Sequence, residues 1–565
     1  MYVTSVPNRG KKPTILLRES FREEGKVKNR TLANLSKLPP EALDAVKRVL
    51  SGEKLVPTSE AFEIVRTVQH GNADAVLKAI RKLHLDRVIS SRKCKERDLV
   101  LSMIAMRLFG PGSKLKTARS LGTTSLPREL GLGEDVSEDD LYRAMDWIFD
   151  RQDAIEKKLA KKHLKRGGLV LYDLTSTWVE GEKCPLAKRG YSRDGKKDKL
   201  QVNFGLVTDE EGLPVSVSVY PGNTADPATV QDQVKKLKGD FGIERVVFVG
   251  DRGMVTQTQI DSFIEQGGVD WITALKSVSA KKLKAEGVLQ LGLFDERNLF
   301  EFTSEAYPKD RLVACRNEDL MKRRAKKRRS MIDATKAELE KIKKMVRSGR
   351  LRGKDNIGVR VGRVINKYKV AKHFKLNICD QKLGYSVRKD SVEAEAALDG
   401  IYVIRTSLSA EAMSAEDTVR NYKRLARVEK SFRAMKTIDL KVRPIYHYAE
   451  NRVRAHVFLC MLAYYVEWHL RRAWKTLLFA SEVDTLSERD PVKPAKPTPQ
   501  SRRKARSKKT EDGLTVHSFG SLLDHLATIA ISTCRRPGAP EGETFDMPTQ
   551  PDALQSRAFE LLNTM

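Results

Sequence analysis

The spacing of apolar positions changes several times along the chain. In residues 1–58 short apolar runs alternate with polar ones at 14–17 and 31–35, which predicts strands. The Pro39-Pro40 pair then introduces a helical stretch. From 59 to 165 the period is helical. Ala75-Val76-Leu77, Ile80 and Leu83 recur on one face, 99–108 is an apolar helix closed by Gly110-Pro111-Gly112, and 139–162 is a helix with a basic end. At 168 the period becomes that of buried strands: Leu169-Val170-Leu171-Tyr172-Asp173-Leu174, then 202–207 and 215–220 joined by the turn Asp209-Glu210-Glu211-Gly212. A helix over 228–237, the strand Arg245-Val246-Val247-Phe248-Val249-Gly250-Asp251, a helix over 255–266 and a strand over 271–275 follow. The order βββαβαβ predicts a mixed α/β sheet covered by helices.

Residues 277–398 interrupt that rhythm with a long charged helix running to about Arg347 and strand-like stretches, including 359–370. The rhythm returns with the strand Gly400-Ile401-Tyr402-Val403-Ile404-Arg405 and a helix over 415–437, started by Ser414 and Asp417 as a capping box. A second long helix covers 452–477, a Pro-rich basic segment at 489–512 reads as a linker, and 516–531 predicts a last helix. The expected division is 1–58, 59–165, 166–276, 277–398, 399–480 and 481–565: a small β-containing region, a helical region, the first part of an α/β core, a mixed α/β insertion, the second part of the core, and a basic linker with a terminal helix.

Charge sharpens this picture. Lys plus Arg number 105 against 74 Asp plus Glu, a formal net charge of +31 over 565 residues. Such a surplus repels itself unless a polyanion neutralises it, and nucleic acid is the first candidate. From 321 to 355 there are 15 Lys and Arg against 4 Asp and Glu, a local net of +11. Lys326, Lys327, Arg328 and Arg329 within it are candidate phosphate contacts, and the helical region 59–165 is a candidate DNA-binding domain, although it carries no clear helix-turn-helix signature. No window is apolar enough to span a membrane, the start lacks a secretory pattern, and the six cysteines form no CxxC or Cys/His metal spacing. A cytoplasmic, DNA-associated protein without disulfides is the expectation.

Three carboxylates stand out. Asp173 lies inside an apolar strand, where a carboxylate is costly without partners. Asp251 ends another apolar strand, where α/β sheets place functional groups. Glu429 borders the apolar stripe Val419, Tyr422, Leu425, Val428, Phe432 and Met435. If the three converge they offer oxygen ligands to hard cations, Mg²⁺ or Mn²⁺, and two such ions suit phosphodiester transfer.

At these residues the chain resembles insertion-sequence transposases of the DDE type, in the branch with a Tyr…Glu…Lys helix preceded by a large insertion. The likeness rests on Leu171-Tyr172-Asp173-Leu174-Thr175, Gly190-Tyr191-Ser192-Arg193-Asp194, Pro221-Gly222-Asn223-Thr224, Gly250-Asp251-Arg252-Gly253-Met254, and Tyr422…Glu429…Phe432-Arg433…Lys436. Arg443-Pro444-Ile445-Tyr446 and Ala455-His456-Val457 look similar too. The resemblance implies a ribonuclease-H-like catalytic core with Asp173, Asp251 and Glu429 as its acidic triad and metal ligands. It implies two Mg²⁺ ions, with Mn²⁺ able to substitute. It places the family's Tyr on Tyr422 and its Lys on Lys436, two helical turns either side of Glu429. The family's Arg position falls on Leu425, leaving Arg424 beside it as the candidate, with Arg433 a further DNA contact. The implied activity is cutting of element ends and joining of 3′-hydroxyls to target DNA, by a homodimer or larger assembly and without ATP. A nuclease of the same fold without strand transfer and an inactive DNA-binding protein are the alternatives.

Rival motifs fail. The segment 190–197 nearly spells a phosphate-binding loop, but Lys197 replaces the required Ser or Thr and a strand follows. His469-Leu470-Arg471-Arg472 would need a tyrosine nucleophile downstream, and none follows Tyr465. His456, on an apolar helix face, reads as a core histidine.

Overall fold

The computed structural model describes residues 1–565 apart from 56, 58–59, 134, 480–491, 493–496 and 541, and apart from the side chains of 11 and 438. In chain order it begins with β1 (Tyr2–Asn8), β2 (Lys11–Glu23), β3 (Lys26–Asn34), α1 (Pro40–Leu50) and β4 (Glu63–Gln69). Seven helices follow: α2 (Gly71–Lys82), α3 (Leu85–Ile89), α4 (Lys95–Phe109), α5 (Lys114–Leu121), α6 (Leu126–Leu130), α7 (Glu138–Phe149) and α8 (Gln152–His163). Then come β5 (Leu169–Trp178), β6 (Gln201–Thr208), β7 (Pro214–Pro221), α9 (Asp226–Lys235), β8 (Val246–Val249), α10 (Gln257–Gln266), β9 (Val269–Ala274) and α11 (Ser277–Ala285). The middle carries β10 (Leu299–Phe302), β11 (Arg311–Arg316), α12 (Glu318–Arg347), α13 (Lys354–Lys367), β12 (Phe374–Cys379), β13 (Lys382–Val387) and α14 (Lys389–Ala396). The last part holds β14 (Ile401–Thr406), α15 (Ala415–Lys423), α16 (Leu425–Arg433), α17 (Glu450–Ala473), α18 (Pro499–Ser507), α19 (Phe519–Leu526), β15 (Ala530–Arg535), β16 (Thr544–Pro548) and α20 (Ala553–Asn563).

The chain forms two compact units. One comprises Met1–Val68 with Ala530–Thr549. It holds the antiparallel sheet β1-β2-β3 and a second sheet in the order β16-β15-β4, so that Thr67 meets Ser532, 465 positions later. The predicted helix over 516–531 is therefore shorter. α19 ends at Leu526, and Ile531 and Cys534 lie in a strand that needs β4 as its partner.

The other unit comprises Gln69–Ile529 with Gln550–Met565. Its centre is an eight-stranded sheet in the order β10-β11-β14-β9-β8-β5-β6-β7. β5, β6 and β7 form an antiparallel meander, and β5, β8 and β9 run parallel. β6 is buried over its whole length and β8 likewise, as expected of strands covered on both faces. This is the ribonuclease-H-like arrangement, widened by three antiparallel strands. β10 and β11 were expected to belong to the insertion, yet they pair onto β14 and extend the core sheet. The insertion proper is thus α12 to α14. It has its own core, in which Ile332, Leu339, Ile342 and Val346 of α12 pack on Ile357, Val361 and Ile365 of α13. The stretch 359–370, expected as a strand from its alternating valines, is mostly α13: the four-residue spacing of Ile357, Val361 and Ile365 seats one face on α12 and leaves Val359 exposed.

The helical region packs directly on the sheet unit. α4 is buried almost end to end and packs against α7 and α17, while α17 also lies along β7. The helix expected over 139–162 is two, α7 and α8, and α7 starts with a capping box from Ser137 and Asp140. The segment at 489–512 falls partly outside the described residues; within it, 499–507 form α18. Among the described residues, no helix is long and apolar enough to cross a membrane.

Candidate active site

The register of the parallel strands brings two acids level. Leu171 of β5 pairs with Val249 of β8, so Asp173 and Asp251 each lie two positions further on, in the middle of the sheet where β8 ends. α16 packs over β5 and brings Glu429 above them. A cavity of about 510 Å³ is lined by Asp173, Asp251 and Glu429, and also by Asp194, Asp226 and Lys436. Asp173 is half-buried at its floor, while Asp251 and Glu429 are exposed at its rim.

What holds α16 there is the β6–β7 turn. Gly212 sits at φ +82°, a left-handed conformation that favours glycine, and a Cβ on it would lie 2.8 Å from the Arg427 Cβ. Arg427 donates to the Glu210 carbonyl at 2.7 Å and pairs with Glu211 at 2.9 Å, and the Ser431 hydroxyl donates to the Gly212 carbonyl at 3.3 Å. Arg424, expected at DNA, instead pairs with Glu210, because it stands at the break between α15 and α16 and points to the same turn. The helix expected over 415–437 is consequently two helices and a wide π-type turn over Ala434–Ile438. Its start is as expected, with the Ser414 side chain accepting from Asp417 N–H.

Tyr422, Glu429 and Lys436 do not share one helix, since Tyr422 is on α15, Glu429 on α16 and Lys436 in the π-type turn; Glu429 and Lys436 line the cavity, and Tyr422 reaches Asp251. The Tyr422 hydroxyl donates to Asp251 Oδ1 at 3.2 Å, and burial, reinforced by Asp251, raises its pKa. Lys436 is 7% exposed rather than solvated. Its Nζ donates to Thr175 Oγ1 at 2.8 Å and pairs with Asp194 at 2.8 Å; burial lowers its pKa against the pull of Asp194. Asp194 also pairs with Arg443, whose guanidinium lies 4.7 Å from the Trp178 ring centre. Arg193 pairs with Asp226 and its N–H donates to Ser176 Oγ at 2.9 Å. Asp194, Arg193, Thr175 and Arg443 lie in the motifs quoted for the resemblance, but their spacing alone assigned them no role. Arg433 is exposed at the cavity rim.

The electrostatics mark the centre of the cavity. Burial pushes the Asp173 carboxyl up to about 7, the charges of Glu429 and Asp251 add to the rise, and the Leu174 N–H and Arg193 oppose it. The Leu174 N–H donates to Asp173 Oδ1 at 2.8 Å. A buried carboxylate with two further carboxylates on the same cavity offers the oxygen ligands that suit a hard divalent cation. Among the described residues no three acidic, His or Cys side chains are close enough together, as the chain stands, to hold a metal ion.

The other expected contacts divide. Lys326, Lys327 and Arg329 are exposed on α12. Arg328 is not available as a phosphate contact: it is 7% exposed and pairs through both terminal nitrogens with Asp399, because its position on α12 faces α14 and the start of β14. The loop at 190–197 is followed by β6, and a Cβ on Gly190 would lie 1.9 Å from the Gly222 carbonyl, so this glycine permits a tight backbone crossing. His456 is buried with Nε2 3.0 Å from the Val442 carbonyl oxygen, a core histidine as expected. All six cysteines are free thiols.

A ribonuclease-H-like sheet with acids from two adjacent parallel strands and one helix meeting on a cavity defines a core for phosphodiester chemistry. The family model described as Transposase DDE domain matches residues 166–466, and that described as IS1634 family transposase, N-terminal domain, matches residues 2–58. The chain belongs to the DDE transposase family and is an insertion-sequence transposase. Domains of this family are generally dependent on divalent metal. Among solved structures, the Mos1 transposase paired-end complex with left transposon end matches at 14% identity over 44% of this chain and 70% of that one. Its TM-score of 0.14 carries no argument about the fold. A comparison with curated proteins gives no match.

Proposed function

We propose that this transposase cuts duplex DNA at the ends of its element and joins the freed 3′-hydroxyls to target DNA, with Asp173, Asp251 and Glu429 as its acidic triad. The observation that carries this is the meeting of the three carboxylates on one cavity, where burial and the two neighbouring charges push Asp173 up to about 7. Perturbation of this kind in a cleft marks functional acids. The triad would hold Mg²⁺, two ions in all, with Mn²⁺ able to substitute. Bound there, the metal supplies the Lewis acidity that in-line displacement needs at its attacking and leaving oxygens.

The chain's own residues do the rest. Glu429 is delivered from α16, which the turn around Gly212 fixes against the sheet. The Tyr422 hydroxyl orients Asp251. Lys436 and Arg443 form a cationic wall beside the acids and orient the strand, with Arg433 at the rim. Lys326, Lys327 and Arg329 extend the basic surface for backbone phosphates. Water attacks the phosphodiester at the element end and leaves a 3′-hydroxyl. That hydroxyl then attacks a target phosphodiester and releases a target 3′-hydroxyl, so bond count is conserved and ATP is not needed. Pairing of two ends calls for a dimer or larger assembly.

The test is a duplex carrying the inverted repeat that flanks the gene, incubated with the protein, Mg²⁺ and a target plasmid. Nicked ends with 3′-hydroxyls and end–target joints are expected. Cleavage without joints would leave a nuclease, and no cleavage in Mg²⁺ or Mn²⁺ would refute the reading.

A further inference from the structure

β1 accompanies β2 only as far as Arg18, which lies opposite Tyr2. Beyond it β2 and β3 continue as a two-stranded ribbon, paired from Glu19 with Arg30 to Glu23 with Lys26. Side chains along a strand alternate between faces, and here the two faces differ in kind. One carries Glu19, Phe21, Glu23, Lys26, Lys28 and Arg30 and is largely self-neutralised: Lys28 pairs with Glu23 at 2.6 Å, Arg30 pairs with Glu19 at 2.7 Å, and Arg30 lies 5.7 Å from the Phe21 ring centre.

The other face carries Arg18, Ser20, Arg22, Val27, Asn29 and Thr31, with no carboxylate among them. The Ser20 hydroxyl donates to Asn29 Oδ1 at 2.6 Å and holds that carboxamide in place. Among the described residues Arg18 and Arg22 have no ion-pair partner. Ser20, Arg22, Asn29 and Thr31 are exposed, and Val27 is 64% exposed. A ribbon that satisfies its charges on one face and leaves arginine, carboxamide, hydroxyl and a branched apolar group open on the other is built for an outside ligand.

We infer that this acid-free face reads base edges in the major groove of the element's terminal repeat. The inference rests on the proposal above that the chain binds duplex DNA at element ends. The major groove admits a two-stranded β-ribbon. Arginine suits the acceptor edge of guanine, asparagine the edge of adenine, and a branched apolar side chain the methyl of thymine. The face carries two uncompensated cations and no anion against a polyanion. Because two of the three cations of the opposite face are already paired, the ribbon adds sequence discrimination more than bulk affinity, while the α12 lysines supply backbone contact. The helical region is the weaker candidate for this task, since α4 is buried almost end to end.

The experiment uses the full chain and two duplexes of equal length, the flanking inverted repeat and a scrambled sequence, at one fixed salt concentration. Arg22→Ala and Asn29→Ala should each lower the ratio of repeat to scrambled affinity by about 5- to 150-fold, the range for one lost base contact. Affinity for the scrambled duplex should stay nearly constant. Lys28→Ala, on the opposite face, should leave the ratio unchanged. Both target residues are exposed, so melting curves should coincide with wild type. If the wild-type protein discriminates and cleaves the repeat while the Arg22→Ala, Asn29→Ala double variant keeps its ratio, the ribbon assignment falls and the transposase reading stands. A wild-type ratio near one overturns the inference together with the end-binding proposal beneath it.

Discussion

Removing the charge of Asp173 should stabilise the metal-free protein, and should do so only where that charge exists. Asp173→Asn keeps the size of the side chain and an oxygen to accept from the Leu174 N–H. In the folded chain burial, with the charges of Glu429 and Asp251, raises the carboxyl from 3.8 to about 7. The unfolded chain has no such environment and ionises near the ordinary value. Above about pH 7 the folded state therefore carries the whole penalty. The penalty shrinks as pH falls through 7 and disappears below about pH 4, where both states hold the proton. A rise of about 3 pH units at 1.36 kcal/mol each gives about 4 kcal/mol at pH 8 as an upper bound, and under 2 kcal/mol at pH 5. The assay is denaturant unfolding of wild type and Asp173→Asn in EDTA at both pH values. The variant should be the more stable at pH 8, with the gap narrowing at pH 5. Added Mg²⁺ should stabilise wild type at pH 8 and leave the variant unmoved. A gap independent of pH, or a variant less stable than wild type at pH 8, would refute the reasoning.

Lys436→Ala should lower stability by about 1–3 kcal/mol as well as cleavage, because it takes one of two cations from Asp194 and leaves it with Arg443; melting and single-turnover cleavage check both. Neutralising Lys326, Lys327 and Arg329 should reduce the slope of log affinity against log salt by about 0.9 per lost contact, whereas Arg328→Ala should leave the slope intact and destabilise the insertion by about 3–5 kcal/mol. Gly212→Ala should cut cleavage with little change in DNA affinity, since a Cβ there meets Arg427 at 2.8 Å and shifts α16; equal loss of both in a single-turnover assay and a binding isotherm would contradict that.

The parts of this structure that could be read from sequence are those where local pattern and tertiary role agree. β5, β6 and β8 read as strands because covered strands are continuously apolar, and Asp173 stood out against such a run. The parts that could not be read depend on partners remote in sequence. β11 looks like any short apolar strand, and only its pairing with β14 makes it core rather than insertion. The valines of α13 alternate as in a strand, and the face offered by α12 decides for helix. β15 is a strand because β16 and β4 lie on either side of it, β4 being remote in sequence. At the site, the three acids singled out in the sequence line one cavity, but the bond of Lys436 to Asp194 was not legible, and neither was the capture of Arg424 by Glu210 or of Arg328 by Asp399. A basic residue in a motif looks the same in sequence whether it meets a phosphate or a buried carboxylate.

The central claim is that Asp173, Asp251 and Glu429 together make the chemistry. It is tested most directly by end cleavage and strand transfer in Mg²⁺ for Asp173→Asn, Asp251→Asn and Glu429→Gln, with DNA binding measured in parallel. Each amide keeps the shape and loses the charge, so each variant should bind the repeat nearly as well as wild type and show neither cleavage nor joining above background. Near-wild-type cleavage by any one of the three would contradict the account at that residue.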